Sequence, residues 1–380
     1  MPMKLIALSL VLILAVPVMT SHARAAERPN VIVILADDLG HKRPEQMPTG
    51  RGFDEYLGIL YSNDMRPVEL TEGTKSNEYP VVQASLTRRY TARALDFIER
   101  HQSQPFLLYL AHAMPHKPLA TTADYYQKSG AGLYGDVLMD LDAGIGQVRS
   151  KLKELNLDEN TFVVFTSDNG PWFGGSTGGL RGMKGSTYEG GYRVPCIARW
   201  PGKIPTGPVN DSPAVMMDLF ATALAAADIA PPADRVIDGR DIMPLFTSDA
   251  KSPHAAVFGQ QGDRLATVRD ERWKLHVLPP RDNFANLHKP GARWIDPRGP
   301  DGVTILARDE QYQPSDHPGL LSGDASRSMQ LFDLQTDPGE QKDVAAEHLE
   351  IVARLTALYD KINEDVPTPT PSEGKSKKKN

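Results

Sequence analysis

The chain has 380 residues, of which 40% are hydrophobic and 24% charged, so it is long enough to bury a sizeable core and a smaller subdomain. Its 42 basic and 48 acidic side chains give a formal net charge of −6, which offers no electrostatic reason to expect nucleic acid or an anionic membrane as partner. An anionic ligand would therefore need a locally positive pocket.

Residues 1–25 have the pattern of a signal peptide, with a basic start at Lys4, an apolar run over 5–18 and small residues before Ala26. The alternative, an uncleaved membrane anchor, is disfavoured because the apolar run is shorter than the roughly 20 residues that a membrane-spanning helix needs. We therefore expect an exported protein, periplasmic or extracellular, or lysosomal if the source is eukaryotic.

The next elements alternate between strands and helices. Continuous apolar runs at 31–36, 105–110 and 161–166 are typical of strands buried on both faces of a parallel sheet. Apolar residues recur at helical spacing over 88–101 and 137–152. Alternation of this kind predicts an α/β layer fold.

The single cysteine, Cys196, cannot form an intrachain disulfide. It lies in the apolar run 194–198, which predicts a buried strand residue with no reactive role.

The last third of the chain has a different pattern, with short strand-like pieces between loops rich in proline and glycine. These pieces predict a small antiparallel subdomain closed by a helix over 344–362. We expect a signal peptide at 1–25, an α/β metal-binding domain at 26–250, a C-terminal subdomain at 251–365 and a disordered basic tail at 366–380.

Polar motifs follow each of the three predicted parallel strands, where side chains gather at one edge of a sheet. Asp37 and Asp38 follow the first strand, the segment His112 to His116 the second, and Asp168 and Asn169 the third. Two adjacent carboxylates are costly unless a cation neutralises them, and an all-oxygen set suits Ca²⁺ or Mg²⁺. Taken alone, each pair occurs in an ordinary turn at least as often as in a metal site.

A glycine-rich segment at 180–195 carries Lys184, whose compact charge suits an oxygen of a sulfate or phosphate. In isolation, such a loop is more often a solvated turn.

Together, these motifs resemble the sulfatase family within the alkaline-phosphatase-like superfamily, in particular arylsulfatase A and N-acetylgalactosamine-6-sulfatase. The resemblance covers nearly the whole mature chain. The matching pieces are 28–40, 51–54, 61–65, 111–119, 167–171, 180–195, 238–245, 272–275, 331–334 and 337–340.

The resemblance implies a sandwich with a large mixed central sheet flanked by helices and a smaller C-terminal antiparallel subdomain. It also implies a calcium ion, with magnesium as a possible substitute, held by four ligands: Asp37, Asp38, Asp168 and Asn169. Lys184 and His116 would contact the sulfate and take part in catalysis. His112 would either line the same pocket or support it from behind the ligand-binding residues.

Two family segments are missing. Sulfatases of this family carry a Cys or Ser followed by x-Pro-Ser-Arg, and that Cys or Ser is oxidised to formylglycine, whose hydrated aldehyde is the nucleophile. This motif is absent, as is the family's Gly-Lys-Trp-His-Leu-Gly stretch. The sequence passes from Gly40 directly to His41, which indicates an internal truncation after residue 40, either a true in-frame loss or an error in the recorded gene.

The segment 48–51, Pro-Thr-Gly-Arg, is interpreted as a surface turn rather than a substitute nucleophile. The leading hypothesis is a sulfuric ester hydrolase by descent, acting on an aryl or carbohydrate sulfate, whose turnover is impaired in this chain. The alternatives are a non-catalytic binder of sulfated glycans and a related phosphatase or phosphonate hydrolase. A sulfated small molecule or glycan is the expected partner, with no nucleic acid and no membrane span after signal cleavage.

Overall fold

A computed structural model describes residues 28–36, 44–172, 175–281, 322–364 and 366 of the chain. The signal peptide, Asp37, Asp38, the junction between Gly40 and His41, and nearly all of the basic tail lie outside the described residues.

A mixed four-stranded sheet forms the centre of the fold, in the strand order β5-β1-β6-β7. Strands β1, β5 and β6 are parallel, and β7 runs antiparallel to β6. The bounds are β1 Asn30–Ala36, β5 Leu107–His112, β6 Thr161–Thr166 and β7 Cys196–Arg199. The three predicted parallel strands are present, although β5 begins two residues later than predicted, because Pro105 has no N–H to donate to a ladder. The expected burial of β5 on both faces is wrong, because β5 lies at the edge of the described sheet and its Leu107 and Tyr109 are exposed.

Helices pack on both faces of this sheet, most closely around its central strand β1. Ile32 and Ile34 of β1 belong to an apolar cluster with helices α1 (Leu86–Arg100) and α2 (Gly132–Glu154). Val31 and Val33 face the opposite side, where α4 (Asp218–Ala226) and α5 (Met243–Thr247) pack. The sequence-based prediction of an α/β fold is confirmed.

The two helices on the first face approach each other closely. A Cβ on Gly144 of α2 would stand 2.5 Å from the hydroxyl oxygen of Thr91 of α1, so this crossing requires a glycine.

A second sheet contains four antiparallel strands in the order β11-β10-β9-β8. Helix α6 (Leu349–Asn363) packs on it through Leu355 and Tyr359. These strands correspond to the short pieces expected from the sequence. Their bounds are β8 Val257–Gln261, β9 Arg264–Arg269, β10 Trp273–His276 and β11 Gln330–Asp333.

A third, three-stranded antiparallel sheet is made of β2 (Leu57–Ile59), β3 (Leu70–Glu72) and β4 (Lys75–Glu78). This sheet was not predicted from the sequence. The remaining elements are a short helix α3 (Glu189–Tyr192) and 3₁₀ turns at Pro44–Gln46, Pro48–Arg51, Gln83–Ser85, Asp158–Asn160 and Ala345–Glu347.

The expected burial of Cys196 is wrong. Cys196 begins the edge strand β7 and is exposed, as is its neighbour Ile197. An edge strand lacks a neighbour on one side, so an apolar run does not ensure burial there. Among the helices of the described ranges, none has both the length and the apolar character needed to cross a membrane.

Candidate functional site

The register of the central sheet brings three strand ends to one edge. Ala36 at the end of β1 pairs with His112 at the end of β5, and Ile34 pairs with Phe165 of β6. The described polar segments that follow β5 and β6 therefore leave the sheet at the same edge. Asp37 and Asp38, the predicted ligands after β1, fall outside the described residues, so their part in the site stays a prediction.

Asp168 and Asn169 form the turn that follows β6. Asp168 is exposed and accepts a hydrogen bond from the side-chain nitrogen of Asn169, while the Ser167 hydroxyl donates to the Asn169 carbonyl oxygen at 3.2 Å. The amide nitrogen of Asn169 is thus turned to Asp168, which orients its Oδ1 away from that carboxylate. A carboxylate and an amide oxygen on one exposed turn are donors of the kind that calcium takes.

The charge of Asp168, after β6, affects a side chain on β5, on the other side of β1. Burial raises the pKa of Tyr109 in β5, and the nearby Asp168 carboxylate raises it further. Within the part of the chain that the structure describes, no group of three or more His, Cys, Asp or Glu side chains could hold a metal. The two described members of the predicted set, Asp168 and Asn169, have the chemistry that a hard cation requires.

The glycine-rich segment crosses this turn at close range. The Lys184 N–H donates to the Pro171 carbonyl at 3.0 Å, and the Gly170 N–H donates to the Gly191 carbonyl at 2.9 Å. A Cβ on Gly170 would stand 1.9 Å from the Gly190 carbonyl oxygen, and one on Gly191 would stand 2.1 Å from that of Ser186. The crossing therefore tolerates only glycine at these positions, and it brings the half-buried Lys184 beside the Asp168 turn.

His116 is positioned from behind by a buried amide. The Asn63 side-chain nitrogen donates to the carbonyl oxygens of His116 and Pro118 at 3.2 and 3.3 Å, and Gln83 donates to the Asn63 Oδ1 at 2.5 Å. The imidazole Nδ1 of His116 lies 2.7 Å from the Lys117 carbonyl oxygen. Because a carbonyl only accepts, Nδ1 carries a proton, and this contact fixes the orientation of the imidazole.

The His116 segment approaches the residues that follow the Asp168 turn. The Lys117 ammonium forms an ion pair with Asp64 at 3.1 Å and lies 5.9 Å from the ring centre of Trp172. No role was predicted from the sequence for Asn63, Gln83 or Trp172. Asn63 lies in the 61–65 piece that carried the resemblance, which was the available signal.

His112 is buried at the end of β5, on the face of the sheet covered by α1, with its ring centre 6.1 Å from that of Tyr90. Burial lowers the pKa of His112 to about 4, so the imidazole is neutral near pH 7. The described residues offer neither ring nitrogen a hydrogen-bond partner. Its role, in the pocket or behind it, stays a prediction.

Comparison with known proteins assigns the family. The Sulfatase family model matches residues 32–229. The chain is 34% identical to the N-acetylgalactosamine-6-sulfatase of Canis lupus familiaris over 84% of this chain and 63% of that protein. It is 35% identical to the steryl-sulfatase of Mus musculus over 79% of this chain and 48% of that protein.

A solved sulfatase from Pseudoalteromonas sp. superposes with a TM-score of 0.69 at 21% identity, covering 90% of this chain and 72% of that one. This likeness confirms the sulfatase-type fold expected from the sequence. The chain spans less than two thirds of the length of the N-acetylgalactosamine-6-sulfatases that it matches. On the family-model match and these identities, the chain belongs to the sulfatase family.

Proposed function

We propose that this protein recognises a sulfate monoester, aryl or carbohydrate, at the edge of the central sheet, and that the Asp168 turn, Lys184 and His116 together form the site. The main observation is the 3.0 Å hydrogen bond from the Lys184 N–H to the Pro171 carbonyl, which fixes the glycine-rich segment 180–195 against the Asp168 turn. The 34% identity to an N-acetylgalactosamine-6-sulfatase supports a sulfated sugar as one class of ligand.

A calcium ion would be held by Asp37, Asp38, Asp168 and Asn169, with magnesium as a weaker fit to carboxylates on separate segments. When bound, the ion neutralises the carboxylates and attracts the sulfate oxygens. The Lys184 ammonium would donate to an outer sulfate oxygen, and the imidazole of His116 would contact the sulfate as well.

Hydrolysis needs a nucleophile, and neither the Cys- or Ser-x-Pro-Ser-Arg motif nor the family's Gly-Lys-Trp-His-Leu-Gly stretch occurs in this sequence. Lys184 and His116 can hold the ground state, but ground-state binding alone does not lower the barrier to attack at sulfur. Loss of a nucleophile removes several orders of magnitude of rate. We therefore propose a sulfuric ester hydrolase by descent whose turnover is impaired in this chain.

The alternative is a non-catalytic binder of sulfated glycans. It is supported by the presence in the sequence of the cationic Lys184 and of His116, which suit an anionic ligand, without the nucleophile motif. The two proposals share the site and differ only in turnover.

Both are tested on the full-length protein with Ca²⁺ supplied. Turnover of 4-nitrophenyl sulfate and binding of a sulfated oligosaccharide by isothermal titration are measured for the wild type and for Lys184→Ala. Binding that is lost in Lys184→Ala, with turnover far below about one per second, supports the impaired site. Turnover near one per second would contradict impairment, and binding that is unchanged in Lys184→Ala would contradict the site itself.

We also infer export, directed by the signal peptide at 1–25, and a division into an α/β domain at 26–250 and a C-terminal subdomain at 251–365. Mass spectrometry of the mature N-terminus after secretion tests the signal-peptide cleavage. Limited proteolysis near residue 250 tests the domain boundary.

A further inference from the structure

A buried ionic cluster connects the Lys184 loop to the C-terminal sheet. Glu189, five residues after Lys184, is 2% exposed at the start of α3. Its carboxylate accepts from the Lys274 ammonium of β10 at 2.9 Å and from the Arg269 guanidinium of β9 at 3.0 Å. Lys274 is itself 1% exposed, so this pair is almost wholly removed from water.

Glu340, in the loop after β11, completes the cluster. Its Oε1 lies 3.2 Å from the Lys274 ammonium and 2.7 Å from the His276 Nε2, and its Oε2 accepts from the Glu189 N–H at 2.5 Å. Two carboxylates are thus matched by Lys274 and Arg269. Burial lowers the pKa of His276, although the hydrogen bond to Glu340 opposes this, so His276 is a neutral donor.

The same C-terminal region also holds the other side of the Lys184 loop. Arg181, three residues before Lys184, donates to the carbonyl oxygens of Glu340 and Asp324 at 2.8 and 2.9 Å. The segment that carries Lys184 is therefore fixed on both sides by groups that follow residue 268 in the chain. The 272–275 and 337–340 pieces, which had no assigned chemistry, supply Lys274 and Glu340 to this cluster.

We propose that Glu189, Lys274 and Glu340 are positioning residues that set the placement of Lys184 against the Asp168 turn, so that the C-terminal sheet controls affinity for sulfate. This inference rests on the proposed function for its ligand. Buried charges give this control because removing one member leaves its partner uncompensated, and the loop must shift to relieve it. Residues that hold metal ligands from behind are typically worth about 10-fold to 100-fold in metal affinity or activity, and we expect an effect of the same order on sulfate affinity here.

A purely structural connection would behave differently. It would lower stability, and affinity would fall only as the folded fraction falls. The chain offers a matched control in Arg272, which forms an ion pair with Asp333 at 2.7 Å on the same C-terminal sheet. Arg272→Ala weakens that sheet without touching Glu189, Lys274 or Glu340.

The test uses the full-length protein with Ca²⁺ and phenyl sulfate as the probe in isothermal titration, below the melting transition of every variant. We expect Glu189→Gln to bind phenyl sulfate at least 10-fold more weakly and Arg272→Ala to bind within about twofold of wild type. Glu189→Gln binding like wild type, or both variants weakening alike, would overturn the inference. If Glu189→Gln does not fold, Lys274→Arg is used in its place, because arginine keeps the positive charge but changes the geometry of the ion pair. Unchanged affinity for phenyl sulfate in Lys274→Arg would also overturn the inference.

Hydrogen exchange of the unliganded protein separates failure of this inference from failure of the proposed function. Amides of 181–191 should exchange faster in Glu189→Gln than in wild type, and at the wild-type rate in Arg272→Ala. If wild type and Lys184→Ala both fail to bind phenyl sulfate, the proposed function fails. The claim that Glu189 positions the Lys184 loop is then decided by hydrogen exchange alone. An unchanged exchange rate of the 181–191 amides in Glu189→Gln overturns that claim.

Discussion

Lys184 and Pro171 are joined through their main chains, the Lys184 N–H donating to the Pro171 carbonyl at 3.0 Å. Lys184 belongs to the glycine-rich segment 180–195, and Pro171 directly follows the Asp168 turn. Because the bond is between backbones, it does not depend on side-chain rotamers. The spacing between the loop and the turn is therefore set by how closely their glycines approach.

Gly170→Ala should destabilise the protein by about 3 kcal/mol, since the added methyl would stand 1.9 Å from the Gly190 carbonyl oxygen and backbone would have to move. Urea unfolding measures this. The matched control is Gly146→Ala in α2, where an added methyl meets nothing within 4 Å and should stabilise by up to about 1 kcal/mol. Equal effects of the two changes would contradict the close crossing.

Calcium should raise the melting temperature, because a ligand that binds only the folded state at 100 times its Kd adds about 2.7 kcal/mol. Chelation with EDTA should reverse the shift. Asp168→Asn should reduce it strongly, whereas Asp211→Asn, at an exposed carboxylate paired with Arg193 at 3.5 Å, should leave it intact. A full calcium shift in Asp168→Asn would remove Asp168 from the ligand set.

Two leucines of β5 should differ sharply on substitution. Leu110 is 7% exposed and packs in the α1 and α2 cluster, so Leu110→Ala should cost about 3 kcal/mol. Leu107 is 51% exposed on the opposite face, so Leu107→Thr should change stability by no more than about 0.5 kcal/mol. A large loss from Leu107→Thr in urea unfolding would mean that this face is covered in solution.

Glu55 should give the protein acid-sensitive stability. Its hydrogen bond from Arg100 is the largest cause that lowers the pKa of Glu55, to about 2, with smaller contributions from His101 and Arg93. Because the folded pKa is below the ordinary 4.5, this stability is present above about pH 4.5 and is lost as the pH falls toward 2.

Glu55→Gln should therefore lower stability at pH 7 by about 1–2 kcal/mol after solvent screening is allowed for, and flatten the decline below pH 4.5. The measurement is urea unfolding between pH 3 and 7. Asp124→Asn serves as control, because its pair with Arg88 is 3.9 Å long and both side chains are more than 70% exposed. An unchanged pH dependence in Glu55→Gln would contradict the prediction.

The core of the fold could be predicted because its strands carry a strong local signal. The runs around Ile32 and Val163 are continuous and β-branched, and buried parallel strands need that composition. The three-stranded sheet was missed because β4, Lys75–Glu78, is polar and mostly exposed and has no apolar alternation. Cys196 was misjudged because a sequence does not reveal which strand lies at an edge.

The residues of the candidate site also differ in how clearly the sequence indicates them. His116 and Asp168 could be singled out because they follow predicted buried strands, and Lys184 because it lies in the glycine-rich segment 180–195. Their roles at the site stay predictions. The pairing of Glu189 with Lys274, 85 residues apart, has no local signature, since a single charge in a sequence indicates exposure. Only the fold brings such groups together in the dry interior.

The order of strands in the central sheet also bears on how the chain folds as it is made. Strand β1 lies between β5 and β6, and Asn30 pairs with Thr161 across 131 residues. At a synthesis rate of roughly 5–20 residues per second, β1 waits on the order of ten seconds for its second neighbour. During that interval the unpaired backbone edge of β1 can associate with other chains. The yield of folded protein should therefore depend on chaperones and on expression rate more than on equilibrium stability.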